Sequence, residues 1–238
     1  MSPAALAPAA LVPAAAGSAA APSVFAGGSN VIAVIVLLLE FGMLRQALLR
    51  DMVRLYAAQS AAISVLAVIV AAARGLPDLY ALAFCSAAIK VVAVPLVVRR
   101  LLRDTGDEIA GSGALSVAST VLVAIVVAAF GFFAVGTLPV RSPVLPVTAL
   151  AIAFAVVLVA FALMINRRDV VSQAIGFFSL ENGISLAALV VAAGMPLIFE
   201  VAFLFDLLVA VVVFGLLIRV HHGRAESLST SDLTSLRG

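Results

Sequence analysis

Apolar residues in this chain fall into long runs, each about twenty residues, broken by short stretches that carry Arg, Asp, Gly and Pro. Seven runs stand out, over 29–48, 52–73, 78–101, 114–136, 146–165, 170–193 and 196–220. At about 1.5 Å per residue, each can cross a hydrocarbon layer about 30 Å thick. Hydrocarbon offers a peptide group no hydrogen-bond partner, so each run is predicted to be a helix. Gly75-Leu76-Pro77 and Gly194-Met195-Pro196 predict tight reversals, and Pro95 predicts a kink inside the third run. Residues 1–28 are rich in Ala and broken by Pro3, Pro8, Pro13 and Pro22. They lack the basic start of a signal peptide and read as a disordered leader. Residues 221–238 read as a tail.

Composition sharpens this picture. Of 238 residues, 65% are hydrophobic and 11% charged, against about 25% charged in a typical soluble domain. A soluble enzyme or an extracellular module is excluded; an all-α, seven-helix integral membrane bundle is expected. The formal net charge of +2 comes from residues that punctuate the apolar runs, so it does not point to nucleic acid. With one cysteine, Cys85, an internal disulfide or zinc cluster cannot form, and its place within an apolar run predicts a buried side chain.

The basic residues also set an orientation. One side receives eleven of them: Arg45, Arg50 and Arg54; Arg99, Arg100 and Arg103; Arg167 and Arg168; and Arg219, Arg224 and Arg237. The other receives Arg74 and Arg141, and Lys90 lies within a span. By the positive-inside rule the N-terminus is outside and the C-terminus cytoplasmic, in a bacterial inner membrane.

The candidate chemistry lies in the side chains that lipid disfavours. Glu40, Lys90, Glu181 and Asp206 fall near the middle of spans one, three, six and seven. Glu200 is six residues before Asp206, about 9 Å nearer the outside. Gln59 and Asn182 are supporting polar groups. Tyr56, Gln59, Ser60 and Ser64 make a polar stripe on the second span. Four central charges left unpaired would cost on the order of 10 kcal/mol, comparable with the stability of a whole domain. They must therefore be paired, hydrated or turned inward. Lys90 cannot pair with every acid at once, and a shared depth suits a lateral proton route. A static clip between Lys90 and Glu181 or Asp206 is the plainer alternative, and Arg45 is a possible partner for Glu40. In the third span Ser86 and Lys90 share a face at i, i+4. In the sixth, Gly176 and Gly183 share a face fit for close helix contact, with Glu181 on the opposite side.

No GxxxxGK[ST], HExxH or CxxC motif is present, and His221-His222 reads as a solvated pair. No cofactor or metal is expected in this chain.

These residues carry a resemblance. The chain resembles component E of hydrogenase-4, from formate hydrogenlyase and related group 4 membrane-bound hydrogenases. The similarity is expected over nearly all of the chain after the leader. It rests on LYAAQS at 55–60, IKVVAVPLV at 89–97, and Arg167-Arg168 followed by QAIGFFSLENGISLA at 173–187. It continues through Glu200 and Asp206 to DLTSLRG at 232–238. More distantly, 146–220 resembles the K-type subunit of respiratory complex I and of multisubunit cation/proton antiporters. That subunit carries a glutamate in each of two successive helices. Glu181 matches the first, and either Glu200 or Asp206 matches the second.

The resemblance implies a non-catalytic subunit of a proton-translocating oxidoreductase complex. Its implied partners are antiporter-like and H-type membrane subunits and peripheral hydrogenase-like subunits that hold the [NiFe] and iron–sulfur centres. Proton relay through Lys90, Glu181, Asp206, Glu200 and Glu40 is the expected function. A membrane scaffold and a self-sufficient ion or proton transporter are the alternatives.

Overall fold

The structure, a computed structural model, describes residues 24–105, 109–111, 113–138 and 145–191, and the isolated helical positions 208, 211, 212, 215 and 219. Residues 1–23 of the expected leader, the tail 221–238, Arg141, Glu200, Asp206 and most of the seventh run lie outside the described residues. Helices α1 (Val24–Arg45), α2 (Leu49–Arg74), α3 (Pro77–Ser86), α4 (Val94–Thr105), α5 (Val117–Gly136), α6 (Val147–Asn166) and α7 (Val170–Val191) follow in order. A π-helical segment, Ala87–Ala93, joins α3 to α4. Among the described residues this gives six rods long and apolar enough to cross a membrane, the third being α3, the π segment and α4 together. The chain is a multi-pass helical membrane protein.

The helix ends follow local chemistry. Gly75 closes α2 in the left-handed region at φ 63°, which costs a residue without Cβ nothing. Its N–H and that of Leu76 both donate to the Ala71 carbonyl. Pro77 then opens α3, where its missing N–H is not needed. Ser116 caps α5 by accepting from Ser119 N at 3.2 Å, and Asp169 caps α7 by accepting from Ser172 N at 2.7 Å. α1 begins at Val24, inside the stretch expected to be leader. Val24-Phe25-Ala26 extends the apolar run back across Gly27-Gly28 to Pro22.

At Pro95, where a kink is expected, the third rod carries a π-helical segment just before the proline. Proline has no N–H for the Val91 carbonyl, and its ring would crowd that oxygen. The preceding turn is widened instead: Val94 donates to Ile89, five residues back. The surplus residue changes the angular phase across 87–93.

α6 and α7 are the most closely packed pair, with α1 and α2 laid across them; α5 flanks α6, and the third rod flanks α2. A Cβ at Gly183 would stand 2.8 Å from Val157 Cγ2 and 3.1 Å from Val157 N, and one at Gly176 2.7 Å from Met164 Cγ. The glycine face of α7 is therefore the face on α6. α5 is the least enclosed rod. Phe130, Phe133 and Leu122 point out of the bundle, as lipid contact allows.

The loops at the arginine-rich end are tied together by Arg167. Its guanidinium donates to Leu44 O at 3.1 Å, Gln46 O at 2.6 Å and Gly111 O at 3.3 Å. Asp169 Oδ2 accepts from Gly111 N at 3.0 Å, and Ala110 N donates to Ala47 O at 2.8 Å. Burial holds the Arg167 pKa below its ordinary value, with Asp169 opposing the shift. Arg167→Ala removes a charged donor from three carbonyls and should cost about 1–2 kcal/mol, discounted for its half-exposed position. The check is a lower thermal midpoint together with faster proteolysis at 109–116. Arg167→Lys should recover little of the loss, because an ammonium lacks the planar fork that spans several acceptors.

Candidate functional site

Two polar clusters lie inside this apolar bundle, and α7 belongs to both. The first joins the third rod to α7. Lys90, on the π segment, is 3% exposed, and Glu181 is 8% exposed. Their side chains form an ion pair through both carboxylate oxygens. Lys90 Nζ also donates to Ser185 Oγ at 3.1 Å, and Ser185 Oγ lies 3.2 Å from Glu181 Oε1. Glu181 and Ser185 are one turn apart on α7, so one lysine meets both. The pair is close, buried and hydrogen-bonded, as two charges in a low dielectric require.

The second cluster joins α1, α2 and α7. Glu40 is fully buried. Its Oε2 accepts from Gln59 Nε2 at 2.9 Å and from the Ser179 hydroxyl. Gln59 Nε2 also lies 3.3 Å from Val36 O. Ser179 Oγ stands 2.9 Å from Gln59 Oε1, so its single proton has two acceptors in reach. Asn182 Nδ2 donates to Gln59 Oε1 at 3.0 Å and to Ser60 Oγ at 2.8 Å. Ser64 Oγ donates to Ser60 O at 2.9 Å. The packing of Tyr56 on Phe178, centroids 5.7 Å apart, holds α2 against α7 beside this network.

Glu40 Oε1 and Asn182 Oδ1 are buried and have no hydrogen-bond partner among the described residues. The Tyr56 hydroxyl is likewise buried without a hydrogen-bond partner among the described residues. A carboxylate oxygen left without a donor in a dry core is costly, so these positions are ones where a polar ligand or a proton-bearing group would be welcome.

Most of the site was anticipated as residue types, and the geometry sorts their partners. Lys90 and Glu181 come together. Glu40, Gln59 and Asn182 form a separate group. Arg45, a possible partner for Glu40, is exposed; five helical positions turn it about 140° away. Ser86, expected to share a face with Lys90, forms no hydrogen bond to it among the described residues; Ser185 does. Cys85, expected to be buried, is exposed. It sits beside the outward-facing Phe84, and a thiol in an apolar run can face lipid as readily as protein. Ser179 and Ser185 were missed as partners; their signal is spacing, three positions before Asn182 and four after Glu181. Glu200 and Asp206 lie outside the described residues. Among the described residues no group of His, Cys, Asp and Glu is placed to hold a metal ion.

No family profile matches the chain, and no solved structure matches it. It is similar to the uncharacterized protein Rv0085 of Mycobacterium tuberculosis, 31% identical over 219 residues that cover 90% of this chain and 93% of that protein. It is also similar to "Hydrogenase-4 component E" of Escherichia coli K12 and of Shigella flexneri. Each is 28% identical over 151 residues, covering 63% of this chain and 69% of the relative. That likeness is narrower than the near-complete coverage expected from the motifs.

Proposed function

Because the chain belongs to the same family as Rv0085 of Mycobacterium tuberculosis, and shares a more distant likeness with hydrogenase-4 component E, we propose that it is a non-catalytic membrane subunit of a hydrogenase-4-like, complex I-related respiratory complex. In this reading its buried ionisable side chains pass protons, and the redox centres belong to partner subunits. The observation that carries the reading is the placement of a paired carboxylate, Glu181, and a carboxylate with an orphaned oxygen, Glu40, on two polar clusters that meet at α7.

The chemistry follows from the partners. In the Lys90–Glu181 pair one proton can sit on the amine or on the carboxyl, and the second arrangement leaves both groups neutral. Such exchange moves a proton without creating a net charge in the core, which limits the electrostatic cost. Ser185, hydrogen-bonded to both groups, can donate and accept. At the other cluster Ser179 links α7 to Glu40. Gln59 and Asn182 hold the carboxylate and hydroxyl in place; their amides position rather than conduct. Glu200 and Asp206 extend the route into the seventh span. A redox step in a partner would drive the exchange by altering local charge or hydration. The arginine-rich end faces the cytoplasm, where a peripheral arm would dock.

Glu181→Gln tests this reading. The substitution keeps the shape and the hydrogen-bonding capacity but cannot carry the proton. In inverted membrane vesicles containing the full complex, assembly should persist while proton translocation falls about tenfold or more. Normal pumping by that variant would end the relay role of Glu181. The scaffold reading is favoured by one observation, that Lys90 is already paired. It is supported instead if Lys90→Met/Glu181→Gln leaves pumping intact.

A further inference from the structure

The third rod widens by one turn at the point where its lysine is aimed, and the residues on either side show what that turn does. The rod's buried positions include Leu79 and Ala83 on α3, Lys90 on the π segment, and Val94, Val98 and Leu102 on α4. All three parts of the rod lie along α2, so these residues form one stripe on the bundle side. Phe84, Val92 and Leu96 face outward.

A regular α-helix cannot keep that stripe straight. At about 100° for each residue, the steps from Leu79 to Leu102 would leave the two about 140° apart around the axis. One end of the rod would then turn its packing face to lipid. The π segment absorbs a surplus residue. That takes about 100° out of the count and brings the two ends back to within about 40° of each other. Lys90 stands in the middle of the stripe, where it meets Glu181 and Ser185.

Pro95 supplies a cause for the wide turn. In a regular helix residue 95 would donate to the Val91 carbonyl; proline has no such N–H, and its ring crowds that oxygen. The bond from Val94 N to Ile89 O, five residues back, lies directly ahead of it.

We propose that Pro95 is the positioning residue of the buried ion pair. By holding the wide turn open it keeps α3 and α4 in phase and aims Lys90 at Glu181 and Ser185. It acts through the helix that carries the lysine, not on the carboxylate.

The test is a set of double variants of the full chain in one detergent, read by the thermal midpoint. In the parent, Lys90→Met should lower the midpoint by roughly 10 °C. Pro95→Ala restores the missing N–H and permits a regular turn, which throws the two ends out of phase and lifts Lys90 off Glu181. In that background Lys90→Met should cost about 2 °C or less. Deletion of Val92, an outward-facing residue of the segment, removes the surplus residue. With Pro95→Ala and this deletion together, a regular helix again has the whole stripe in phase, and Lys90→Met should again cost roughly 10 °C. If Pro95→Ala alone does not fold, recovery of a cooperative transition on adding the deletion is the same result. The proposal is overturned if Lys90→Met costs as much in Pro95→Ala as in the parent, or if the deletion fails to restore the cost. A Lys90→Met that costs nothing in the parent overturns it too, since there would be no pair to aim. The readout is the contact made by Lys90 and not pumping, so the outcome is separate from that of the relay reading.

Discussion

Lys90→Met is expected to destabilise the bundle by about 3–5 kcal/mol, the usual cost of removing one partner from a buried ion pair. The carboxylate of Glu181 would remain in the core with Ser185 as its remaining donor. The methionine stem fills the lysine's apolar volume, so the loss reports charge rather than packing. For a chain of this size the thermal midpoint in detergent should fall by roughly 10 °C. Lys90→Met/Glu181→Gln removes both charges and should recover most of that fall, since a buried pair replaced by uncharged groups of similar shape is close to neutral. The proton-translocation assay should show no such recovery. This divergence separates holding the helices from moving protons: if the double variant regains both stability and pumping, the pair is only a clip.

The second large effect is expected at Gly183, where α7 lies against the backbone of α6. A Cβ there meets Val157 N at 3.1 Å and Val156 Cγ1 at 3.2 Å. Neither can withdraw without moving α6. Gly183→Ala should therefore cost about 1–3 kcal/mol from overpacking, despite the gain of about 1 kcal/mol in helix propensity. Gly183→Leu should exceed that range and prevent α7 from docking, releasing Glu181 and Asn182 from their partners. Gly176 is an internal control. Its added Cβ meets Met164 Cγ at 2.7 Å but no backbone atom closer than 3.5 Å, so Gly176→Ala should cost less than Gly183→Ala. Thermal midpoints of the three variants in one detergent decide the matter. Equal losses for Gly176→Ala and Gly183→Ala would contradict the close backbone contact.

The rods were legible because a bilayer imposes their length and leaves the backbone no alternative to a helix. The reversal at Gly75-Leu76-Pro77 was legible for a similar reason, since two residues with special backbone rules stand at one boundary. The partners of the buried charges were not. Periodicity gives the direction of a side chain only while the helix is regular, and the widened turn at Ala87–Ala93 shifts that phase by one residue. Nor could the sequence choose Glu181 for Lys90 from four acids, because that choice depends on which rods are neighbours. Glu40 shows the same limit from the other side. A nearby Arg45 was the obvious counter-charge, yet an amide and a hydroxyl from two other helices serve the carboxylate. Ser179 and Ser185 became recognisable as partners of these groups only once α7 was set against α2 and the third rod.

The chain has one thiol, and Cys85 points out of the bundle from the end of α3, five residues ahead of Lys90. A maleimide spin label attached there needs no engineered position and no competing site to be removed. Its collision rates with dissolved oxygen and with a water-soluble nickel chelate would act as a ruler for immersion. Because Lys90 lies about 7 Å further along the same rod, that ruler would give the depth of the ion pair in a native lipid environment.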